Sequence, residues 1–188
     1  PVPMAELMAL AERNGLSVLE DSAEAWGMES LVAGGWKKAG TIGDIGIYSF
    51  FPTKTLGAYG DAGLMVTNDE ELYKKIKSYR VHGSSVKYHH DYVGYNSRLD
   101  TMQAAILRVK LRKTREAIAA RARIAARYTE RLGDIPGLRI PGVRSDVKPV
   151  SYVYNILVPR RDELTKVLSE KGIGWSVYYP IPLHMQKC

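Results

Sequence analysis

Residues 49 to 63, SFFPTKTLGAYGDAG, constrain this chain more than any other stretch. A serine, a lysine five residues on and glycines at 57, 60 and 63 lie between two apolar segments, DIGIYSF (44–50) and AGLMVTN (62–68), that read as strands. The glycines let backbone approach a ligand closely, and Lys54 sets an amine beside it. A lysine in a loop is ordinarily a solvated charge. This one follows Pro52 closely and lies between aromatic residues and glycines. Such an amine forms a Schiff base with an aldehyde only when unprotonated, which desolvation or a neighbouring positive charge favours.

The segments around this stretch fit an α/β fold. Residues 3–14 read as an amphipathic helix with Met4, Leu7, Met8 and Ala11 on one face and Gly15 to end it. LSVLED (16–21) is a short apolar strand that delivers Asp21 at its carboxyl end, where open α/β sheets place their ligands. The same carboxylate also suits a helix or turn cap. Residues 27–43, rich in glycine and lysine, read as an exposed excursion. Asn68 with Glu71 makes a capping-box-like start to a helix bearing Leu72, Ile76 and Tyr79. The stretch HGSSVKYHHDYVGYNS (82–97) is polar, aromatic and loop-like, and its adjacent His89 and His90 diverge on any regular backbone, which argues against a metal site.

From Leu99 one long helix is expected to residue 132, with Leu99, Met102, Ile106 and Val109 in register, Gly133 at its end and Pro136 beyond. LRIP and VSYVYNILVP then read as strands, RDELTKVLSEKG as a helix ending at Gly172, and IGWSVYY as a further strand. This places residues 1–115 in a large domain and 116–188 in a smaller α+β one, joined by the helix 99–132. The chain starts at a helix without an initiating methionine and stops at YYPIPLHMQKC without a finishing element, so both ends look cut from something longer.

Composition narrows the function classes. An apolar fraction of 45% with 25% charged residues is that of a globular protein. No apolar run approaches the roughly 18–20 residues needed to cross a membrane, and PVPMAELMAL lacks a basic signal-peptide head. The single cysteine, Cys188, cannot form an internal disulfide, which points to a reducing, cytoplasmic setting. Neither CxxC nor HExxH is present, which argues against a structural zinc site. The formal charge of +7 is concentrated in residues 108–131, where nine basic side chains face only Glu116 and Glu130. That segment reads as the solvated face of a long helix. The alternative, a phosphate or nucleic-acid footprint, comes with no recognised nucleic-acid motif.

The chemistry gathers around Lys54. Ser49 offers a hydroxyl to a phosphate oxygen and Asp21 a carboxylate from the preceding strand. Pyridoxal phosphate asks for this set: an amine for its aldehyde, a phosphate holder and an anion paired with the pyridinium nitrogen, which keeps the ring an electron acceptor.

Three motifs, EDSAEAWG (20–27), GDIGIYSFFPTKTLGAYGDAGLMVTND (43–69) and HG…GYNSRLDTMQAAIL (82–107), resemble the DegT/DnrJ/StrS sugar aminotransferases, and the resemblance continues to YYPIPLH (178–184). It implies the aspartate-aminotransferase fold (fold type I), with part of the large domain, a mainly parallel sheet with helices, and part of the small carboxyl-terminal domain. It also implies that Lys54 holds the cofactor and moves the proton, that Asp21 pairs with the pyridine nitrogen and that Ser49 contacts the phosphate. Asn96 would reach the phosphate of the neighbouring subunit's cofactor, making a homodimer part of the site. Arg98 stands at a position of substrate or interface contacts, and Tyr178 and His184 would lie near the bound sugar. At Glu24 the family commonly has Gln or His beside the cofactor ring, with Glu in members resembling perosamine synthase. A second carboxylate near Asp21 raises the cost of ionising both, so Glu24 is either protonated or faced by a cation. Family members are about twice this length, so the resemblance implies a fragment lacking the amino-terminal half and the extreme carboxyl terminus.

The activity implied is transfer of an amino group from L-glutamate to a keto carbon of a nucleotide-linked deoxysugar. Related sugar dehydratases carry His in place of the lysine, so Lys54 favours transfer over dehydration. A truncated, non-catalytic or regulatory remnant of the same fold is the other reading.

Overall fold

In the computed structural model, which describes residues 1–188, helix α1 spans Met4–Arg13. Met4 and Ala11 are its buried side chains, and Gly15 beyond it takes a φ of +61°, a left-handed conformation that stops the helix. Strand β1 (Leu19–Asp21) is followed by a hairpin, β2 (Glu29–Val32) and β3 (Gly35–Lys38), then by β4 (Ile45–Ser49) and β5 (Gly63–Val66). β1 pairs in parallel with β4, and β5 joins the other side of β4 antiparallel. This sheet thus holds one parallel and one antiparallel pairing.

A buried carboxylate ties the turn after the hairpin to this sheet. Glu20, at the centre of β1 and 8% exposed, accepts hydrogen bonds from the backbone N–H groups of Gly40, Ile42 and Gly43 at 2.7, 2.6 and 2.7 Å. The turn lies so close that a Cβ on Gly46, the register partner of Glu20, would come 1.9 Å from the Gly40 carbonyl oxygen. Tyr48, two residues on, donates its hydroxyl to the Ala39 carbonyl. Burial, and then the Glu20 charge, push the Tyr48 phenol above its usual range.

Helix α2 (Glu70–Tyr79) begins one residue later than the sequence suggests. Asp69, not Asn68, is the cap: its Oδ1 accepts from the N–H groups of Glu71 and Leu72 at 2.8 and 2.9 Å. The aromatic stretch beyond it holds a short antiparallel pair, β6 (Ser84–Val86) and β7 (His89–His90), where a loop was expected.

The expected single helix is two, α3 (Thr101–Leu111) and α4 (Thr114–Leu132). The cause is local. Lys113 N–H bonds the Lys110 carbonyl in a tighter turn at 3.0 Å, and the buried Thr114 donates its hydroxyl to the same carbonyl at 3.2 Å. Back-bonding threonines bend helices in this way.

Strand β8 (Val147–Lys148) returns to pair antiparallel with β2. The segment 27–43 is therefore a hairpin inside a three-stranded sheet, not an exposed excursion, and Ser30 and Ala39 are 2% and 4% exposed. Conversely, LRIP, VSYVYNILVP and IGWSVYY are not strands: they hold one isolated bridge, Arg139 to Leu157. Extended composition alone makes no strand without a neighbour to accept its ladder. Helix α5 (Arg161–Glu170) forms as read, with Gly172 at φ +66° behind it.

Two compact units result, Pro1–Tyr128 with Gly142–Tyr154, and Thr129–Pro141 with Asn155–Cys188. The division falls after Tyr128, further along than residue 115, and residues 142–154 rejoin the first unit. That unit has a core of Phe50, Leu56, Ala58 and Leu107, against which Trp26, Tyr48 and Ala62 pack. Trp26 meets Tyr48 and Phe50 edge-on at 5.3 and 5.4 Å. No helix is long and apolar enough to cross a membrane.

In the three-stranded sheet, Glu29 of β2 accepts from Lys38 of β3 and from Lys148 of β8, and Lys148 lies 4.1 Å from the centroid of the Trp36 ring. Those two ammonium donors lower the Glu29 carboxyl from 4.5 to about 2. A depressed carboxyl stabilises the fold above its unfolded value and loses that contribution as pH falls from 4.5 through about 2. In Glu29→Gln this acid-dependent share of stability disappears. Thermal melting between about pH 6 and about pH 2 measures it, and parallel curves for variant and parent would refute it.

Candidate functional site

The loop between β4 and β5 is rooted at both ends. Phe50 N–H donates to Ala62 O at 2.8 Å, and Ala58 N–H donates to Phe50 O at 2.7 Å. Between these anchors the chain turns tightly, with Lys54 N–H on Phe51 O at 2.9 Å. Gly57 is required there, because a Cβ would come 2.5 Å from the Pro52 carbonyl oxygen. On the far side Tyr59 N–H donates to Gln103 Oε1 of α3 at 2.9 Å. Core packing, not a flexible tether, therefore positions Lys54.

The Lys54 side chain is 16% exposed, and its Nζ donates to Glu24 Oε1 at 2.9 Å. Glu24 is thus faced by a cation. The same Nζ lies 4.8 Å from the centroid of the Tyr152 ring, and the Tyr152 hydroxyl is 3.2 Å from Thr53 Oγ1.

Asp21 and Ser49 end the parallel pair β1 and β4. Asp21 is in register with Ile47, so Ser49, two residues on, falls on the same face of the sheet. Asp21 Oδ1 accepts from Ala23 N–H at 3.1 Å. Asp21 is thus a turn cap, the role its position at the strand end allowed, while its second oxygen carries no hydrogen bond. Ser49 Oγ accepts from Phe51 N–H at 3.2 Å, which leaves its own hydroxyl hydrogen to donate. A sheltered amine, an available carboxylate oxygen and a hydroxyl donor fit the donor set that pyridoxal phosphate asks for.

The remaining sequence-derived residues have these surroundings. Arg98 Nε donates to Asn96 Oδ1 at 3.3 Å, and both are exposed. Tyr178 and His184 belong to the second unit, Tyr178 edge-on to Tyr179 at 5.4 Å and His184 in a short 3₁₀ turn, Leu183–Met185. Sequence reasoning missed Glu20, Gln103, Arg121 and Tyr152. An acidic residue inside the apolar strand LSVLED was a usable signal for Glu20; Tyr152 offered none, because it meets Lys54 across 98 positions.

The chain is 47% identical over 185 residues to the pleiotropic regulatory protein of Geobacillus stearothermophilus, covering 97% of this chain and 49% of that one. It is 43% identical over 187 residues to the UDP-N-acetyl-3-dehydro-alpha-D-glucosamine 3-aminotransferase of Acidithiobacillus ferrooxidans, covering 100% and 49%. Among solved structures, S. venezuelae DesV in complex with a ketimine intermediate superposes with a TM-score of 0.92 at 38% identity, covering 100% of this chain and 49% of that chain. The chain spans about half the length of the curated relatives it matches. Residues 1–188 match the DegT/DnrJ/EryC1/StrS aminotransferase family throughout, and the chain belongs to that family.

Proposed function

We propose that the protein is a pyridoxal-phosphate-dependent aminotransferase that moves an amino group from L-glutamate to a keto carbon of a nucleotide-linked deoxysugar. The observation that carries this reading is Lys54: sheltered, ion-paired with Glu24 and fixed by a core-anchored loop beside the ends of two parallel strands. When bound, pyridoxal phosphate supplies an aldehyde that takes up the amino group and a ring that accepts the electrons left behind when the substrate carbon loses its proton. Lys54 holds the cofactor's aldehyde end and carries that proton from one carbon to the other. Asp21 presents its open carboxylate oxygen to the pyridine nitrogen, Ser49 donates to the phosphate, and Glu24 stands beside the ring and holds the Lys54 amine when it is free. Asn96, steadied by Arg98, reaches the phosphate across a homodimer interface. Tyr178 and His184 contact the sugar, and the setting is the cytoplasm.

The name of the Geobacillus relative supports a second reading, a regulatory protein that keeps the fold without turnover. One experiment separates the two. Full-length protein, loaded with pyridoxal phosphate and treated with borohydride, yields a pyridoxyl group on the peptide bearing Lys54. With L-glutamate and a nucleotide-linked keto-sugar it forms 2-oxoglutarate and amino-sugar. Trapping on another lysine refutes the site; trapping on Lys54 without 2-oxoglutarate refutes the activity.

A further inference from the structure

The Lys54 amine has a neighbour that the proposed chemistry does not use. Its Nζ is 4.8 Å from the Tyr152 ring centroid, on a segment held to α4 at two places. Arg121 Nη1 donates to the carbonyls of Ser151 and Tyr152 at 3.4 and 3.1 Å, and the Tyr154 ring packs against Tyr128 tilted by 30°, with centroids 5.2 Å apart. The Tyr152 hydroxyl, 3.2 Å from Thr53 Oγ1, meets the residue just before the lysine. A tyrosine fixed through its carbonyl at one end and its hydroxyl at the other presents a ring face and little freedom.

We propose that Tyr152 is a positioning residue for Lys54: its ring face, set by Arg121 and Thr53, holds the free amine against Glu24 before cofactor arrives and whenever the amine is released during turnover. The inference rests on the reading of Lys54 as the cofactor lysine. A ring face attracts an ammonium through its negative quadrupole, while the Glu24 carboxylate draws the same Nζ at 2.9 Å. A flexible four-carbon stem otherwise spreads the amine over many rotamers. Carboxylate and ring restrict it to one place and hold it back from an attacking electrophile.

The test is the rate at which an amine-directed acylating reagent modifies Lys54 in full-length protein freed of cofactor, taken as a ratio to the rate at the exposed Lys77. In Tyr152→Leu, which covers the amine without a π face, the ratio rises at least about twofold, the lower bound for a cation–π contact. In Tyr152→Phe the ring remains, held by Arg121 without the Thr53 contact, and the ratio rises by less than in Leu. Arg121→Met, which leaves ring and amine intact and frees the backbone, raises the ratio in the same direction as Leu. An unchanged ratio in Tyr152→Leu overturns the proposal, as does a rise in Tyr152→Phe equal to that in Leu, and an unfolded variant betrays itself by speeding Lys77 as well. Borohydride trapping on the parent keeps the two readings apart. If the pyridoxyl group sits on Lys54 and the Leu ratio does not move, the role of Tyr152 alone fails; if it sits elsewhere, the reading of Lys54 fails whatever the ratio.

Discussion

In the proposed transfer, Lys54→Ala is expected to lower turnover by at least about 10²–10⁴-fold, the range that one positioned acid–base contributes. The effect is this large because the proton-carrying amine itself is removed. Glu24 Oε1 only accepts a hydrogen bond from that amine, and Tyr152 presents a ring face to it. Folding is little changed. The Glu24 side chain is 48% exposed, so it regains water when its partner goes, and pairs of this kind stabilise by about 0–1 kcal/mol. The variant should therefore melt near the parent temperature, bind pyridoxal phosphate reversibly and fail to retain a pyridoxyl group after borohydride. Small exogenous amines added at high concentration should restore part of the proton transfer. A variant whose turnover stayed within tenfold of the parent would sink the assignment of the proton-carrying role.

Glu20→Gln acts through the fold. One carboxylate satisfies three backbone donors, Ile42 and Gly43 on Oε1 and Gly40 on Oε2. An amide oxygen can keep the first pair, but its NH₂ then faces the Gly40 N–H, donor against donor, in a place where Glu20 is 8% exposed. Charge-assisted hydrogen bonds contribute about 1.5–3 kcal/mol, and an orphaned buried donor costs about 1–3 kcal/mol, so a loss of about 2–4 kcal/mol is expected. For a domain of this size that lowers Tm by on the order of 10 °C. Denaturant unfolding of the full-length protein measures it, and a change under about 0.5 kcal/mol, the size of an ordinary surface substitution, would show that these hydrogen bonds do not hold the turn. The damage should spread to Tyr48, whose hydroxyl bonds the adjacent Ala39 carbonyl.

The parts of this fold legible in the sequence are those set by neighbours in the chain. The apolar segments at 16–21, 44–50 and 62–68 contain β1, β4 and β5 because short β-rich runs between glycines have few alternatives. α1 and α5 show the same regularity at helical spacing. Lys54, Asp21 and Ser49 stood out because their chemistry is local to a loop and two strand ends. What the sequence hid depends on distant partners. The hairpin at 29–38 looked like an excursion because β8 lies more than a hundred residues away. The bend between α3 and α4 depends on where one threonine hydroxyl points once Thr114 is buried. The segments of the second unit carry strand-like side chains, yet their pairing is limited to a single bridge, and side chains alone do not report the absence of a neighbour.

The return of residues 142–154 to the first unit has a temporal consequence. Lys148 reaches Glu29 across 119 positions and Tyr152 reaches Thr53 across 99. A ribosome making roughly 5–20 residues per second releases β5 well before it releases these partners, leaving an interval on the order of 5–20 seconds. During that time the β2 edge is unpaired and the lysine loop stands without its aromatic neighbour. The surroundings of Lys54 are thus among the last features of the first unit to be completed on a growing chain, although the lysine itself emerges well before them.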